Sequence, residues 1–86
     1  MMKIDKILEG IEIVSIKGTK NRVISGVEFD SRQVTKDSLF VAVKGYKSNG
    51  HDFITSAISS GAAAILCEDL PENPDKNIFW IKSNHI

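Results

Sequence analysis

The sequence has little cysteine, no excess of either charge and no long hydrophobic run, and each shortage excludes a class of protein. Its single cysteine, Cys67, cannot form an internal disulfide, which favours a reducing compartment. Eleven basic residues balance eleven acidic ones, so no net field attracts nucleic acid or an anionic membrane. The longest apolar runs, at residues 39–43 and 62–67, are too short to span a bilayer, and residues 1–5 lack the apolar stretch of a signal peptide. We therefore expect a cytoplasmic protein that binds neither nucleic acid nor membranes.

Length and composition indicate one small folded domain. Hydrophobic residues make up 42% of the 86 residues and charged residues 26%, which are ordinary values for a globular chain with a modest core. The sequence stops directly after a predicted strand, at Asn84-His85-Ile86, and we interpret this as a cut between domains. Residues 1–86 are therefore expected to form one domain of a longer protein.

The spacing of apolar residues predicts an α/β fold. It predicts strands at residues 11–16, 23–29, 39–43, 62–67 and 78–81, and helices near residues 4–8 and 53–58. The first two strands are expected to be hairpin-like, with a bulge or a close backbone approach at Gly26, whereas residues 39–67 are expected to form a βαβ unit with parallel strands. Phe79 and Trp80 alternate along the last strand, so one is expected in the core and the other towards a neighbouring domain or solvent. We predict a small mixed β-sheet flanked by helices.

Several short motifs occur in a fixed order between residues 23 and 67. They are Asp30-Ser31-Arg32, then Leu39-Phe40-Val41-Ala42, then Gly45, then Asn49-Gly50-His51-Asp52-Phe53-Ile54, and finally Gly61-Ala62. Each motif is weak alone, but the order and the gaps together resemble the first domain of Mur ligases, the enzymes that build the peptide of peptidoglycan. Asn49 stands where that family usually has aspartate, and Asp37-Ser38 stands where it usually has Gly-Asp. Both replacements keep turn-forming side chains.

The resemblance implies the amino-terminal, UDP-sugar-binding domain of an ATP-dependent ligase. Within the family the chain looks most like the ligase that adds the third amino acid, meso-diaminopimelate or lysine, to UDP-N-acetylmuramoyl-L-alanyl-D-glutamate. The D-alanyl-D-alanine-adding ligase is the alternative, and so is a non-catalytic ligand-sensing or interaction module of the same fold. ATP and magnesium are implied for the parent enzyme, in central and carboxyl-terminal domains that this chain does not contain. Its expected partners are therefore UDP-N-acetylmuramoyl-dipeptide and those two domains.

The expected ligand site lies after the strands at residues 23–29 and 39–43. The loop at residues 45–50 follows a buried strand and precedes a helix, where α/β sheets usually bind ligands. Its amides favour an anion, an aromatic side chain there can stack on a base, and a lysine can reach a phosphate. Ser31 adds a hydroxyl. The resemblance assigns the uridine part of the substrate to five residues: Phe29, Ser31, Tyr46, Lys47 and Ser48.

Other conspicuous residues have simpler structural interpretations. Asp30 and Arg32 flank a turn, and such a pair is more often a cap or an exposed ion pair than a ligand site. We assign turn roles to Gly45, Gly50 and His51 as well, with the histidine hydrogen-bonded to a loop rather than acting as a base. The sequence contains no Gly-x-x-x-x-Gly-Lys-Ser/Thr phosphate loop and no metal-ligand spacing, so we expect no catalytic residue, metal site or cofactor in this chain.

Overall fold

The computed structural model describes residues 2–3, 6, 8–10, 12–18, 23–43 and 50–84. In chain order its strands are β1 (Met2–Lys3), β2 (Ile13–Lys17), β3 (Val23–Ile24), β4 (Val27–Glu28), β5 (Leu39–Val41), β6 (Ala64–Cys67) and β7 (Phe79–Ser83). Helix α1 spans Ile54–Ser59. Two short 3₁₀ segments complete this part of the chain, the Ser31 turn (Ser31–Gln33) and the Gly50 turn (Gly50–Phe53).

The described strands confirm the predicted mixed sheet. Five of them lie in the order β2-β7-β6-β5-β4. Strands β4, β5, β6 and β7 run parallel to one another, and β2 pairs antiparallel with β7. The unit β5–α1–β6 is the predicted βαβ unit, so the carboxyl ends of β5 and β6 lie at the same edge of the sheet.

Burial on both faces explains the continuous apolar runs. Every residue of β5 and β6 is buried, as expected for parallel strands covered from both sides. Alternate residues enter two separate clusters: one contains Leu39, Val41, Leu66, Phe79 and Ile81, and the other contains Phe40, Ile65, Cys67, Trp80 and Ala57 of α1. The prediction that only one of Phe79 and Trp80 lies in the core is therefore wrong. Their side chains point to opposite faces, but each face has its own cluster.

The predicted strand at residues 23–29 is in fact two strands. Strand β3 pairs with β1 in a separate two-stranded sheet, whereas β4 joins the large sheet beside β5. At the break, the backbone N–H of Ser25 donates to the carbonyl of Asp37 (2.9 Å) and its hydroxyl donates to the carbonyl of Lys36 (2.7 Å). These bonds take the place of the hydrogen bonds between paired strands, and the chain passes from one sheet to the other at this point. The predicted hairpin is also wrong, because β2 pairs with the distant β7.

Helix α1 begins later than predicted. Its buried face contains Ile54 and Ala57. Phe53, the first residue of the predicted helix and its first apolar position, instead belongs to the 3₁₀ turn and is 43% exposed. Gly61 follows the helix with φ +111°, and a Cβ there would lie 2.9 Å from Cα of Lys36. Only glycine fits this position without strain.

The amino-terminal prediction is only partly covered by the described residues. Residues 4, 5 and 7 of the expected first helix lie outside them, while Leu8 is buried and Gly10 has φ +83°. Strand β2 forms an exposed edge, with a register shift between Ile13 and Ser15. In the part of the chain that the structure describes, no helix has the length and apolarity needed to cross a membrane.

Candidate functional site

The parallel pairing of β4 with β5 brings two strand ends together. Val27 is level with Leu39 and Glu28 with Phe40, so both strands finish at the same edge of the sheet. The Ser31 turn follows β4, and Val43 follows β5 by two residues. This is the edge where α/β sheets commonly bind ligands, because the connections leaving the strands diverge and leave a crevice.

A pocket of about 530 Å³ lies between these connections. Its described lining consists of Phe29, Asp30, Ser31, Arg32, Phe40, Val43, Gly50 and Phe53. Phe40 is buried and forms a fixed wall, whereas Phe29 is 69% exposed and Phe53 is 43% exposed. Two aromatic rings left in water beside polar groups suit a flat ligand that has a hydrogen-bonding edge.

The Ser31 turn has a rigid acidic cap. The Asp30 carboxylate accepts the backbone N–H of Arg32 (2.9 Å) and also accepts from its guanidinium, with Nη2 to Oδ2 at 2.8 Å. The side-chain hydrogen bond from Arg32 lowers the pKa of Asp30, helped by the backbone bond and by the positive charge of Arg32. The same pair raises the pKa of Arg32. Both groups are exposed to solvent, so the pair fixes the turn rather than stabilising the fold strongly.

Between these two residues, the Ser31 side chain faces the pocket. Its backbone carbonyl accepts the N–H of Val34 (3.3 Å), which closes the turn. Its hydroxyl has no hydrogen-bond partner among the described residues. A half-buried hydroxyl on the wall of a pocket can donate to or accept from a ligand.

The opposite wall is built on close backbone packing at Gly50. Its N–H donates to the carbonyl of Val43 at 2.7 Å. A Cβ on Gly50 would lie 2.6 Å from N of Val43, so no larger residue fits while this contact persists. The contact brings together Val43 and Gly50, the two described residues that flank positions 44–49, and both line the pocket.

His51 makes a second attachment for the Gly50 turn. Its Nε2 accepts the backbone N–H groups of Glu68 and Asp69, each at 3.1 Å. These two residues directly follow β6. The histidine is not among the described residues that line the pocket.

The structure does not describe the remaining predicted site residues. Gly45, Tyr46, Lys47 and Ser48 lie outside the described residues. Sequence reasoning missed Phe40, Val43 and Phe53 as pocket walls, and for Phe53 the helical spacing of apolar residues pointed to the core instead. Within the described ranges no group of three or more His, Cys, Asp or Glu side chains has an arrangement suited to a metal ion.

Comparisons with known proteins agree on one family. Residues 23–86 match the family description "Mur ligase family, catalytic domain". A UDP-N-acetylmuramoyl-L-alanyl-D-glutamate--2,6-diaminopimelate ligase from Phocaeicola vulgatus is 43% identical over 83 residues, which is 96% of this chain and 17% of that protein. The corresponding ligase from Clostridioides difficile is 44% identical over 68 residues, 79% of this chain and 14% of that protein. The chain therefore spans less than a fifth of the length of these relatives.

Solved structures show the same likeness. A MurF ligase from Thermotoga maritima in complex with ADP superimposes with a TM-score of 0.57 and 41% identity, covering 67% of this chain and 13% of that one. MurF from Acinetobacter baumannii gives a TM-score of 0.61 at 22% identity, over 70% of this chain and 13% of that one, which supports the fold alone.

Proposed function

This chain belongs to the Mur ligase family, and from that premise we propose that it is the substrate-binding domain of a ligase that lengthens the peptidoglycan peptide. The substrate we propose is UDP-N-acetylmuramoyl-L-alanyl-D-glutamate, and the amino acid added by the parent enzyme is 2,6-diaminopimelate. Both ligases compared above carry the name of this activity, which supports this choice. The domain's own task is to hold the uridine end of the substrate.

The observation that carries the proposal is the pocket between the Ser31 turn and the Gly50 turn. Uracil has a flat apolar face and an edge that both donates and accepts hydrogen bonds. Phe29 offers an exposed ring for the face, and the Ser31 hydroxyl offers a partner for the edge. Both groups sit on one short connection whose shape is fixed by the Asp30–Arg32 pair.

We assign the diphosphate and the other side of the uridine to the segment at residues 44–49. Tyr46, Lys47 and Ser48 belong to this proposed half of the site. The contact between Gly50 and Val43 supports the assignment, because these two residues flank the segment and both line the pocket. A lysine ammonium and serine hydroxyl suit a diphosphate, which needs several donors and a positive charge.

The chemical step is assigned to the rest of the parent enzyme. These 86 residues contain no phosphate-loop sequence, so we place the binding of ATP and magnesium in domains outside them. Those domains would supply the ATP chemistry: a phosphoryl group would pass to the substrate carboxylate with release of ADP, and the incoming amine would then displace phosphate. Residues 1–86 bind and orient the distant end of the substrate, which supplies binding energy away from the reacting centre.

A titration of the isotope-labelled chain with UDP tests the site directly. Amide shifts are expected at residues 29–32 and 50–53, and at 44–49 where those amides are observed. Cytidine diphosphate is the matched control, because it keeps the diphosphate and ribose but changes the hydrogen-bonding edge of the base. Shifts clustered at residues 68–77, or none at millimolar UDP, would overturn the proposed site.

In the intact parent enzyme, Ser31→Ala separates binding from chemistry. The change should raise KM for the UDP-sugar severalfold and leave kcat nearly unchanged, because the lost hydrogen bond, worth about 0.5–1.5 kcal/mol, is present in ground and transition states alike. Ser59→Ala, in an exposed position on α1 away from the pocket, is the control and should alter neither constant. An equal loss in kcat would contradict a purely binding role.

A second candidate is the D-alanyl-D-alanine-adding ligase, favoured by the likeness to the Thermotoga maritima structure. Assaying the intact parent with each amino donor decides between them. Our proposal requires turnover with 2,6-diaminopimelate and UDP-N-acetylmuramoyl-dipeptide. Turnover only with D-alanyl-D-alanine and the tripeptide substrate would favour the second candidate, turnover only with lysine would change the proposed amino acid, and none with any of the three donors would favour a non-catalytic module.

A further inference from the structure

His51 holds two backbone donors with one nitrogen. Its Nε2 lies 3.1 Å from the amide nitrogens of both Glu68 and Asp69. A backbone N–H can only donate, so Nε2 has to be the unprotonated nitrogen of the ring. In the neutral imidazole the proton then lies on Nδ1. Both hydrogen bonds can form together only when the ring is neutral and carries its proton on Nδ1.

These bonds tie the Gly50 turn to the exits of two neighbouring strands. The N–H of Gly50 reaches the carbonyl of Val43, just after β5, and the next residue, His51, reaches the backbone just after β6. Strands β5 and β6 are paired in parallel, so both anchors lie at one edge of the sheet. The turn is therefore held at two points.

The turn held in this way supplies part of the pocket. Gly50 and Phe53 line the wall opposite the Ser31 turn, while His51 lies between them in sequence and is not part of the lining. Phe53 is 43% exposed, so burial of its ring does little to fix the wall. The hydrogen bonds of His51 supply the restraint that apolar packing does not.

We propose that His51 is a positioning residue for uridine binding, acting as a neutral, Nδ1-protonated acceptor that fixes the Gly50 turn against the β6 exit. This inference rests on the proposed function and adds to it a residue that need not touch the ligand. Ligand affinity depends on such restraint because an ordered wall loses less conformational freedom on binding.

Two substitutions of different length test the acceptor role. In His51→Gln the amide oxygen can reach the position of Nε2, whereas in His51→Asn the side chain is one methylene shorter and cannot. Hydrogen exchange at the Glu68 and Asp69 amides reports the link itself, and UDP affinity reports its consequence. We expect the asparagine variant to lose amide protection and to bind UDP severalfold more weakly, and the glutamine variant to retain both.

Two further measurements complete the design. A long-range ¹H–¹⁵N spectrum of the wild-type chain should show His51 with an unprotonated Nε2 and a protonated Nδ1. Ser56→Ala, at an exposed position on α1 outside the Gly50 turn and the pocket lining, is the control and should change neither amide protection nor UDP affinity. Thermal melting of each variant checks that it remains folded.

The outcomes separate this inference from the function on which it rests. Failure of UDP to bind the wild-type chain would remove the proposed function and, with it, this role. If the wild type binds UDP and His51→Asn loses protection at Glu68 and Asp69 but keeps full affinity, the histidine is only structural and the inference is overturned. A proton on Nε2, or a glutamine variant that behaves like asparagine, would equally overturn the acceptor role.

Discussion

The middle of the sheet and the pocket rim are built on different physical principles. All four residues of β6 are buried, and their side chains alternate between two apolar clusters. Around the pocket, Phe29, Val43 and Phe53 remain substantially exposed, and backbone hydrogen bonds hold the turns in place. The interior is stabilised by loss of apolar surface, and the rim by local geometry.

This difference separates stability from binding. A substitution in the interior removes packing that the whole domain shares, so it lowers the free energy of unfolding. A substitution at the rim removes few buried contacts and alters mainly what the pocket can hold. Phe40 is the exception that connects the regions, because it is 1% exposed in the core and also lines the pocket.

The largest expected effect is at this connecting residue. Phe40→Ala should reduce the free energy of unfolding by about 3–5 kcal/mol, because it leaves a cavity in a well-packed cluster. It should also weaken UDP binding by the molecules that remain folded. Ile65→Ala is the control, since Ile65 is fully buried in the same cluster but does not line the pocket. It should cost about 2–5 kcal/mol in stability and leave the affinity of the folded chain unchanged. A small shift in melting temperature for Phe40→Ala would show that Phe40 does not belong to the packed interior.

The next effect comes from backbone geometry. Gly61→Ala should destabilise the domain by about 1–3 kcal/mol, because φ is +111° and the new methyl would press on Lys36. Gly26→Ala is the matched control: its Cβ would meet no atom within 4 Å and its φ is not positive. Chemical denaturation of both variants measures the difference. Equal destabilisation of the two would contradict this explanation.

A rim substitution should show the reverse pattern. Phe29→Ala should change the free energy of unfolding by no more than about 0.5 kcal/mol, since the side chain is 69% exposed. UDP affinity should fall severalfold because the aromatic face is lost. Phe29→Tyr retains that face and should bind nearly as well as the wild type. If Phe29→Ala strongly lowers the melting temperature but UDP affinity is retained, Phe29 contributes to the packing of the interior and not to binding.

The smallest expected effect on stability near neutral pH is at the buried thiol of Cys67. Burial raises the pKa of Cys67 to about 11, and the charge of Asp69 adds to the shift. At pH 8 the folded chain should therefore react with an alkylating reagent far more slowly than the denatured chain. The stability that the protonated thiol contributes is present below pH 9 and is lost as the pH rises towards 11. Equal alkylation rates with and without denaturant would place Cys67 at the surface.

The interior was more predictable from sequence than the edges. The apolar runs at residues 39–43 and 62–67 predicted two buried parallel strands, and β5 and β6 confirm them. Periodicity describes one chain segment at a time, however, and carries no information about distant partners. The pairing of β2 with β7 and the division of residues 23–29 between two sheets therefore lay beyond it.

The candidate site divides in a similar way. The positions of strand ends and turns predicted a ligand site near Phe29, Ser31 and the loop that ends at Gly50. In the structure, Phe29, Ser31 and Gly50 line one pocket. Phe53 was misassigned because helical spacing places it on the buried face, whereas the 3₁₀ geometry of the Gly50 turn rotates it outwards. The partners of His51 lie 17 and 18 residues further along the chain. Local sequence patterns carry no information about contacts at that separation.

The position of β7 has a consequence for how the chain acquires its structure during synthesis. This strand lies between β2 and β6, and the Ser83 hydroxyl also donates to the carbonyl of Glu12 across 71 residues. Until the ribosome has released residues 79–83, β2 lacks its sheet partner and β6 has an open edge. The large sheet therefore closes only near the end of this segment's translation, and contacts between residues so far apart in sequence make closure slow. Before then, the nascent chain exposes an unpaired strand edge, a feature associated with aggregation.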